Sequence, residues 1–193
     1  MSLALPFLMG AAVALLFGGR LSALAETRFR WIGLVYVAFA MQVVAFPYTW
    51  LPWRTSDNAA IVLWIVSDFV LIAVMLRNVR LPGVPLVAAG LSLNLAAIIA
   101  NDGHMPALPS ALRNAGLHYA TLMNSEKMSH PALAWLVDRW ADPKWVPLAN
   151  VFSVGDVVIA VGGFILALAV MRARVPKPVR TIPRRLRALW AGT

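Results

Sequence analysis

Apolar residues are gathered along the chain into five runs of 16 to 22 residues, separated by polar stretches. A helix needs about 17 to 25 apolar residues to cross the hydrocarbon core of a bilayer. None of the runs alternates polar and apolar positions as the strands of a membrane barrel do. A helix also satisfies its backbone amides within its own segment. The pattern predicts an all-α bundle of five transmembrane helices, at residues 2–17, 31–48, 58–75, 84–100 and 150–171.

Residues 101–149 form the only long interruption, and we expect a helical segment there, outside the membrane between the fourth and fifth helices. His130-Pro131 is typical of a helix start, and apolar residues then recur at the spacing of one helical face. They are Leu133, Leu136, Val137 and Trp140. A second helix is expected over 110–122. The segment is either a packed lid or a substrate gate.

Composition excludes a soluble domain, because 61% of the 193 residues are hydrophobic, the mean hydropathy is +0.75 and only 13% are charged. The absence of cysteine excludes disulfides, thiolate nucleophiles and cysteine-based metal sites. Ala23-Leu24-Ala25 resembles a signal-peptide cleavage site. No basic region precedes the first run, however, and Arg20 follows it, so we expect this run to be retained as a helix.

Basic residues predict the orientation, because 12 of the 17 fall on one side of the five spans. The positive-inside rule then puts the N-terminus outside and the C-terminus in the cytoplasm. Residues 1–174 form the membrane domain, and residues 175–193 form a basic tail expected to lie on anionic lipid. The bilayer is thus the expected partner. Nucleic acid is not, because no folded basic module is present.

Three polar residues lie near the middle of the predicted spans, at about 15 Å from a helix end for a rise of about 1.5 Å per residue. They are Gln42, Asp68 and Asn94, and we expect one hydrogen-bonded layer, extended by Ser67 and Ser92. An ionisable residue at this depth suggests a proton or cation binding site. Interhelical contacts that only hold the bundle together are the alternative.

A second polar group is expected at the outer surface, where the fourth helix ends and the fifth begins. It comprises Asn101, Asp102, His104, Asn150, Ser153 and Asp156. Asn150 or Ser153 can cap the last helix, with Asp156 favoured in its first turn. Because Asp156 lies deeper than a cap requires, we predict a binding pocket here.

Two motifs carry a resemblance to a known family. The sequences Asn101-Asp102-Gly103-His104-Met105-Pro106 and Asn150-Val151-Phe152-Ser153-Val154-Gly155-Asp156 resemble those of an uncharacterised bacterial multi-pass membrane family, a domain of unknown function. The resemblance implies a multi-pass protein of the bacterial inner membrane. It implies no activity, and it singles out the outer site.

The start of the last helix, 152–156, is similar to a turn of the lipoprotein signal peptidases. The resemblance implies that Asp156 is a catalytic aspartate, with Asp102 as the candidate second member. The family's Asn-x-x-Asp-Arg motif is absent. Two carboxyls sharing one proton would supply an acid and a base that activate water for peptide hydrolysis.

Metal and cofactor binding are not predicted. His104, His118 and His130 are spaced by 14 and 12 residues, which matches no helical ligand motif. Three functions stay open: a binding or accessory protein, with possible protein partners in the membrane; an ion- or proton-coupled small transporter; and an intramembrane aspartyl hydrolase.

Overall fold

The computed structural model describes residues 4–46, 52–117, 125–145 and 149–171. The predicted tail, residues 175–193, lies outside them. The helices are α1 (Ala4–Leu16), α2 (Ser22–Glu26), α3 (Ile32–Ala45), α4 (Asp57–Arg77), α5 (Val84–Ala100), α6 (Pro109–Ala115) and α7 (Val154–Val170). The strands are β1 (Met105–Ala107), β2 (Ser125–Lys127), β3 (Trp140–Ala141) and β4 (Val151–Phe152).

The five long helices pack side by side in the order α3, α4, α5, α7, α1. Neighbouring helices are antiparallel, except α1 and α7, which are parallel. Their C-terminal ends meet where Arg20 N donates a hydrogen bond to Met171 O over 3.1 Å. We call the end that carries residues 18–31 and 77–83 the basic end, because it holds five exposed arginines. We call the opposite end, with residues 101–153, the loop end. The arginines are Arg20, Arg28, Arg30, Arg77 and Arg80.

Glycines allow α5 and α7 to touch backbone to backbone. A Cβ on Gly90 would lie 2.5 Å from the carbonyl oxygen of Gly155, and one on Gly162 would lie 2.7 Å from that of Gly83. Gly83 also has a φ of 86°, in the left-handed region that favours glycine. Small residues at such crossings are typical of helix pairs in membranes.

The prediction of a helical bundle is confirmed, whereas the five spans stay a prediction. By length and composition, α4 with its 21 residues is the described helix that can cross a membrane. The other apolar helices have 10–17 residues. They are Phe7–Leu16, Ile32–Ala45, Val84–Ala100 and Val154–Val170.

The loop end differs from the prediction of a helical segment, because it contains two small sheets. Strands β1 and β2 pair in parallel, and β3 and β4 pair antiparallel. The helix predicted after His130 is wrong, since residues 131–140 form turns and then enter β3. The helix predicted at 110–122 forms in part, as α6, with Gly116 at its C-cap. Residues 118–122 lie outside the described part.

Hydrogen bonds from other segments explain the missing helix. The amide group of Asn101 binds both the N–H and the carbonyl of Ala132. Leu133 is left-handed, with a φ of 50°, and Asp138 N donates to Pro106 O over 2.9 Å. Leu136, one of the apolar residues of the predicted helix, is still buried, and it packs in a cluster with Trp64.

Candidate functional site

Ser153 begins the last helix through a capping box. Its Oγ accepts a hydrogen bond from Asp156 N at 3.1 Å, and Ser153 N donates to Asp156 Oδ2 at 2.9 Å. Two backbone donors at the helix start are thereby satisfied. The capping interpretation is therefore correct for Ser153 and Asp156, and the prediction that Asp156 lies deeper than a cap requires is wrong.

Asn94 of α5 extends this box into an interhelical network. Its Nδ2 donates to Asp156 Oδ1 at 3.0 Å, and its Oδ1 accepts from Ser153 Oγ at 2.8 Å. The serine hydroxyl also lies 3.0 Å from Asp156 Oδ2, so its single proton can be donated to Asn94 Oδ1 or to Asp156 Oδ2. Asn94 fits only because residue 155 is glycine, since a Cβ there would overlap Asn94 Oδ1.

A second carboxyl, that of Asp138, is buried near this network, and it was not among the residues that the sequence predicted for the site. It is 5% exposed, and its Oδ2 accepts a hydrogen bond from Ser125 Oγ at 3.1 Å. Burial and the negative charge of Asp156 raise the pKa of Asp138 to about 7, while the Ser125 hydrogen bond lowers it. Asp138 lies in the segment that was predicted to be a helix after His130, and that helix does not form. No local pattern in the sequence signals the inward position of Asp138.

The remaining outer candidates lie elsewhere. Asn101 is buried and binds Ala97 O and the backbone of Ala132, so its amide orders the segment. His104 Nδ1 lies 3.7 Å from Glu126 Oε2, with both side chains solvent-accessible. Asn150 contributes its backbone N–H, which donates to Asp142 Oδ2 at 3.2 Å.

Asp102 does not pair with Asp156 in the described part of the chain. It is exposed beyond the end of α5, with a left-handed φ of 56°. The carboxyl that acts on Asp138 from α7 is that of Asp156. Asp138, and not Asp102, is therefore the carboxyl that folding brings to Asp156.

The predicted midplane layer forms in part. Gln42 Nε2 lies 3.0 Å from Ser67 Oγ and 3.3 Å from Asp68 Oδ1, which joins α3 to α4. Asn94 belongs instead to the Asp156 network. Ser92 is exposed and donates to Ala88 O within its own helix.

Residues 26–168 match a family of unknown function, DUF5317. The chain belongs to DUF5317. The matched range contains both motifs and every candidate residue, which agrees with the uncharacterised family that the motifs predicted. No curated protein and no solved structure matches the chain. The likeness to signal peptidases stays a prediction.

In this DUF5317 chain the loop-end site consists of Asn94, Ser153, Asp156 and Asp138. Among the described residues, no group of three or more histidine or acidic side chains is arranged to hold a metal ion. The site instead offers two carboxyls at one helix end, one of them titrating near neutral pH. Such a pair can take up a positively charged group or hold a proton.

Proposed function

We propose that the protein is a multi-pass protein of the bacterial inner membrane, with five spans, the N-terminus outside and the C-terminus in the cytoplasm. In support, only 28% of the most apolar part of α4 is buried inside the bundle. On α3, Tyr36 and Phe39 are 69% and 64% exposed. Water disfavours such contiguous apolar surface, whereas lipid accommodates it. The arginines of the basic end then face the cytoplasm.

Its role in this proposal is that of a binding or accessory protein, acting alone or as a subunit of a membrane complex. The ligand carries a positive charge, such as an ammonium or guanidinium group, and binds at the loop end. The observation that carries the proposal is the hydrogen-bond network of Asn94, Ser153 and Asp156 at the start of α7, with the buried carboxyl of Asp138 near enough for the charge of Asp156 to raise its pKa. These two carboxyls are contributed by separate segments and lie in a partly dry site.

Asp156 has acceptor capacity left for such a ligand. Its two oxygens accept from Asn94 Nδ2 and Ser153 N, and a carboxylate offers about four acceptor positions. Asp138, with a pKa of about 7, loses its proton as a positive charge approaches, because an opposite charge favours the ionised form. Binding is thus linked to proton release, and it strengthens between about pH 6 and pH 8.

The test is thermal unfolding of the purified full chain in detergent micelles, at pH 8 and constant ionic strength. Spermidine and arginine amide are the probes. We expect both to raise the unfolding temperature of the wild type, and Asp156→Asn to abolish the effect. Asp102→Asn is the matched control, because it removes the same charge from an exposed, left-handed position that asparagine tolerates.

Two results would contradict the proposal. One is a wild type that responds to neither probe. The other is an Asp102→Asn variant that loses as much of the response as Asp156→Asn. Protein partners in the membrane are tested separately, by identifying proteins that co-purify with the wild type and are lost with Asp156→Asn.

An intramembrane aspartyl hydrolase is the second candidate, and the coupling of Asp138 and Asp156 favours it too. Two carboxyls that share one proton would form the acid and base that activate water. Asp138 takes the place of Asp102 in this version. Cleavage of a transmembrane peptide that is lost in both Asp138→Asn and Asp156→Asn, with the fold retained, would favour this candidate over binding alone.

An ion- or proton-coupled carrier has less support. It rests on the contacts that join Gln42, Ser67 and Asp68, and Asn94 is not part of that cluster. Flux into liposomes that is lost in Asp68→Asn and retained in Asp156→Asn would favour the carrier. Association of the tail at 175–193 with anionic lipid remains part of the proposal.

A further inference from the structure

We propose that the basic end binds the phosphate of an anionic phospholipid, through a cluster formed by Arg28, Arg30, Arg77 and Arg80. The site is distinct from the loop-end carboxyls and from the basic tail. It rests on the proposed membrane placement, because its ligand is a lipid of the surrounding leaflet. The four arginines come from two loops that the fold holds side by side.

Asn78 joins the two loops. Its Oδ1 accepts from Arg30 N at 2.8 Å, and its Nδ2 donates to Arg30 O at 2.8 Å and to Val74 O at 2.8 Å. The side chain is 5% exposed, so these bonds are shielded from water. Asn101 holds the backbone of Ala132 in the same way at the loop end. The position of Arg30 is therefore set by the end of α4.

Phe29 fixes the same loop from its other side. It packs against a cluster at the basic end of α4 and α5, which consists of Val74, Met75, Val84 and Ala88. Arg28 and Arg30, on either side of Phe29, keep their side chains exposed. The guanidinium of Arg77 lies 5.6 Å from the centre of the Trp31 ring. The cluster is thus preorganised by backbone hydrogen bonds and apolar packing.

Charge indicates an anionic ligand. Residues 18–31 and 77–83 carry five arginines and one acidic residue, Glu26, so the basic end brings together an excess of positive charge. Arginine presents a planar set of donors that matches two phosphate oxygens at once. A bound phosphate would relieve the repulsion between the loops.

The apolar surroundings indicate a lipid and not a free anion. Exposed apolar side chains border the arginines on the α3 and α4 sides, and they are Trp31, Ile32, Leu76 and Val79. Acyl chains would lie on this surface while the headgroup reaches the guanidinium groups. Basic sites between helices at the cytoplasmic side are a known setting for anionic headgroups.

Native mass spectrometry of the full chain in detergent micelles tests the site. Dioleoylphosphatidylglycerol and dioleoylphosphatidylcholine are titrated separately, with glycerol 3-phosphate as a soluble anion. We expect phosphatidylglycerol adducts to dominate and to weaken about thirtyfold in Arg77→Gln/Arg80→Gln. The matched control is Arg54→Gln/Arg113→Gln, which removes the same charge from exposed positions at the loop end.

Asn78→Ala keeps all four arginines and removes the bonds to Arg30. We expect it to reduce phosphatidylglycerol binding as well, provided that its unfolding curve is still cooperative. If Asn78→Ala does not fold, the site is tested by Arg77→Gln/Arg80→Gln alone, because both of its positions are exposed. Equal binding of the two lipids by the wild type would overturn the site, and so would equal losses in the two double variants.

Glycerol 3-phosphate distinguishes the source of the phosphate. Binding of this soluble anion as tightly as the lipid would overturn the lipid assignment and indicate a free-phosphate site. The assay uses micelles, so it does not depend on orientation. Failure of the lipid site would leave the five-span proposal standing, and topology reporters test that proposal separately.

Discussion

Replacing Gly155 by alanine should disrupt the loop-end site and the helix packing together. The new Cβ would overlap Asn94 Oδ1, and it would lie 2.6 Å from Asn94 Cγ and 2.7 Å from the carbonyl oxygen of Gly90. Asn94 can move only by giving up its hydrogen bonds to Asp156 and Ser153. The Gly90 oxygen belongs to the backbone of α5, so it can yield only if the two helices separate.

The expected loss of stability combines three terms. Overpacking a close contact costs about 1 to 3 kcal/mol, and losing a hydrogen bond to a charged group costs about 1.5 to 3 kcal/mol. Alanine is favoured over glycine inside a helix by about 1 kcal/mol, which offsets part of the loss. We expect Gly155→Ala to lower the free energy of unfolding by about 2 to 4 kcal/mol.

The assay is unfolding in mixed micelles by titration with sodium dodecyl sulfate, followed by circular dichroism. Gly163→Ala is the control, because it lies on the same helix and its Cβ would meet only Phe7 Cβ, at 4.0 Å. That variant should be as stable as the wild type or slightly more so. Asn94→Ala should partly rescue Gly155→Ala, since it removes the overlapping oxygen. Equal stability of Gly155→Ala and Gly163→Ala would refute the reasoning.

Four further predictions use other parts of the structure. Ser153→Ala removes the cap and the link to Asn94, so the same unfolding assay should show a loss of about 1 to 2 kcal/mol. Because the pKa of Asp138 is raised from 3.8 to about 7, the folded state holds this proton more tightly than the unfolded chain. The stability that Asp138 contributes should be fully present below about pH 4 and be lost, by up to about 4 kcal/mol, as pH rises through about 7; a denaturation series showing the same slope in Asp138→Asn would contradict this. Asn101→Ala frees the backbone at Ala132, so limited proteolysis should cut the 125–140 region about tenfold faster, with the helices intact. A reporter fused after Thr193 should be cytoplasmic, and an external signal would overturn the orientation.

The amino-acid sequence by itself predicted the helices, because a long apolar run is a local property that needs no partner. Helix α5 has the predicted bounds, and α4 differs from its prediction by one residue at the start and two at the end. The cap of α7 was predicted in part: Ser153 was one of two candidates for it, whereas Asp156, three residues later, was judged too deep to belong to it. The grouping of arginines at one end followed from the alternating direction of the helices.

Tertiary structure decided which polar residues meet. Depth along a helix can be counted from the sequence, but the direction in which a side chain points is settled by packing. Gln42 and Asp68 meet as expected, whereas the glycine contact at Gly90 and Gly155 turns Asn94 toward α7. Sequence depth alone could not separate these two outcomes.

The loop end was the least predictable region, because its backbone hydrogen bonds go to distant segments. Leu136 and Val137 are buried, which a helix or a turn satisfies equally well. The side chain of Asn101, at the end of α5, accepts a hydrogen bond from the backbone N–H of Ala132, and Pro106 O accepts one from the N–H of Asp138. A helix after His130 would need these backbone groups for its own hydrogen bonds. These long-range bonds brought the Asp138 carboxyl to Asp156, and no local pattern in the sequence records them.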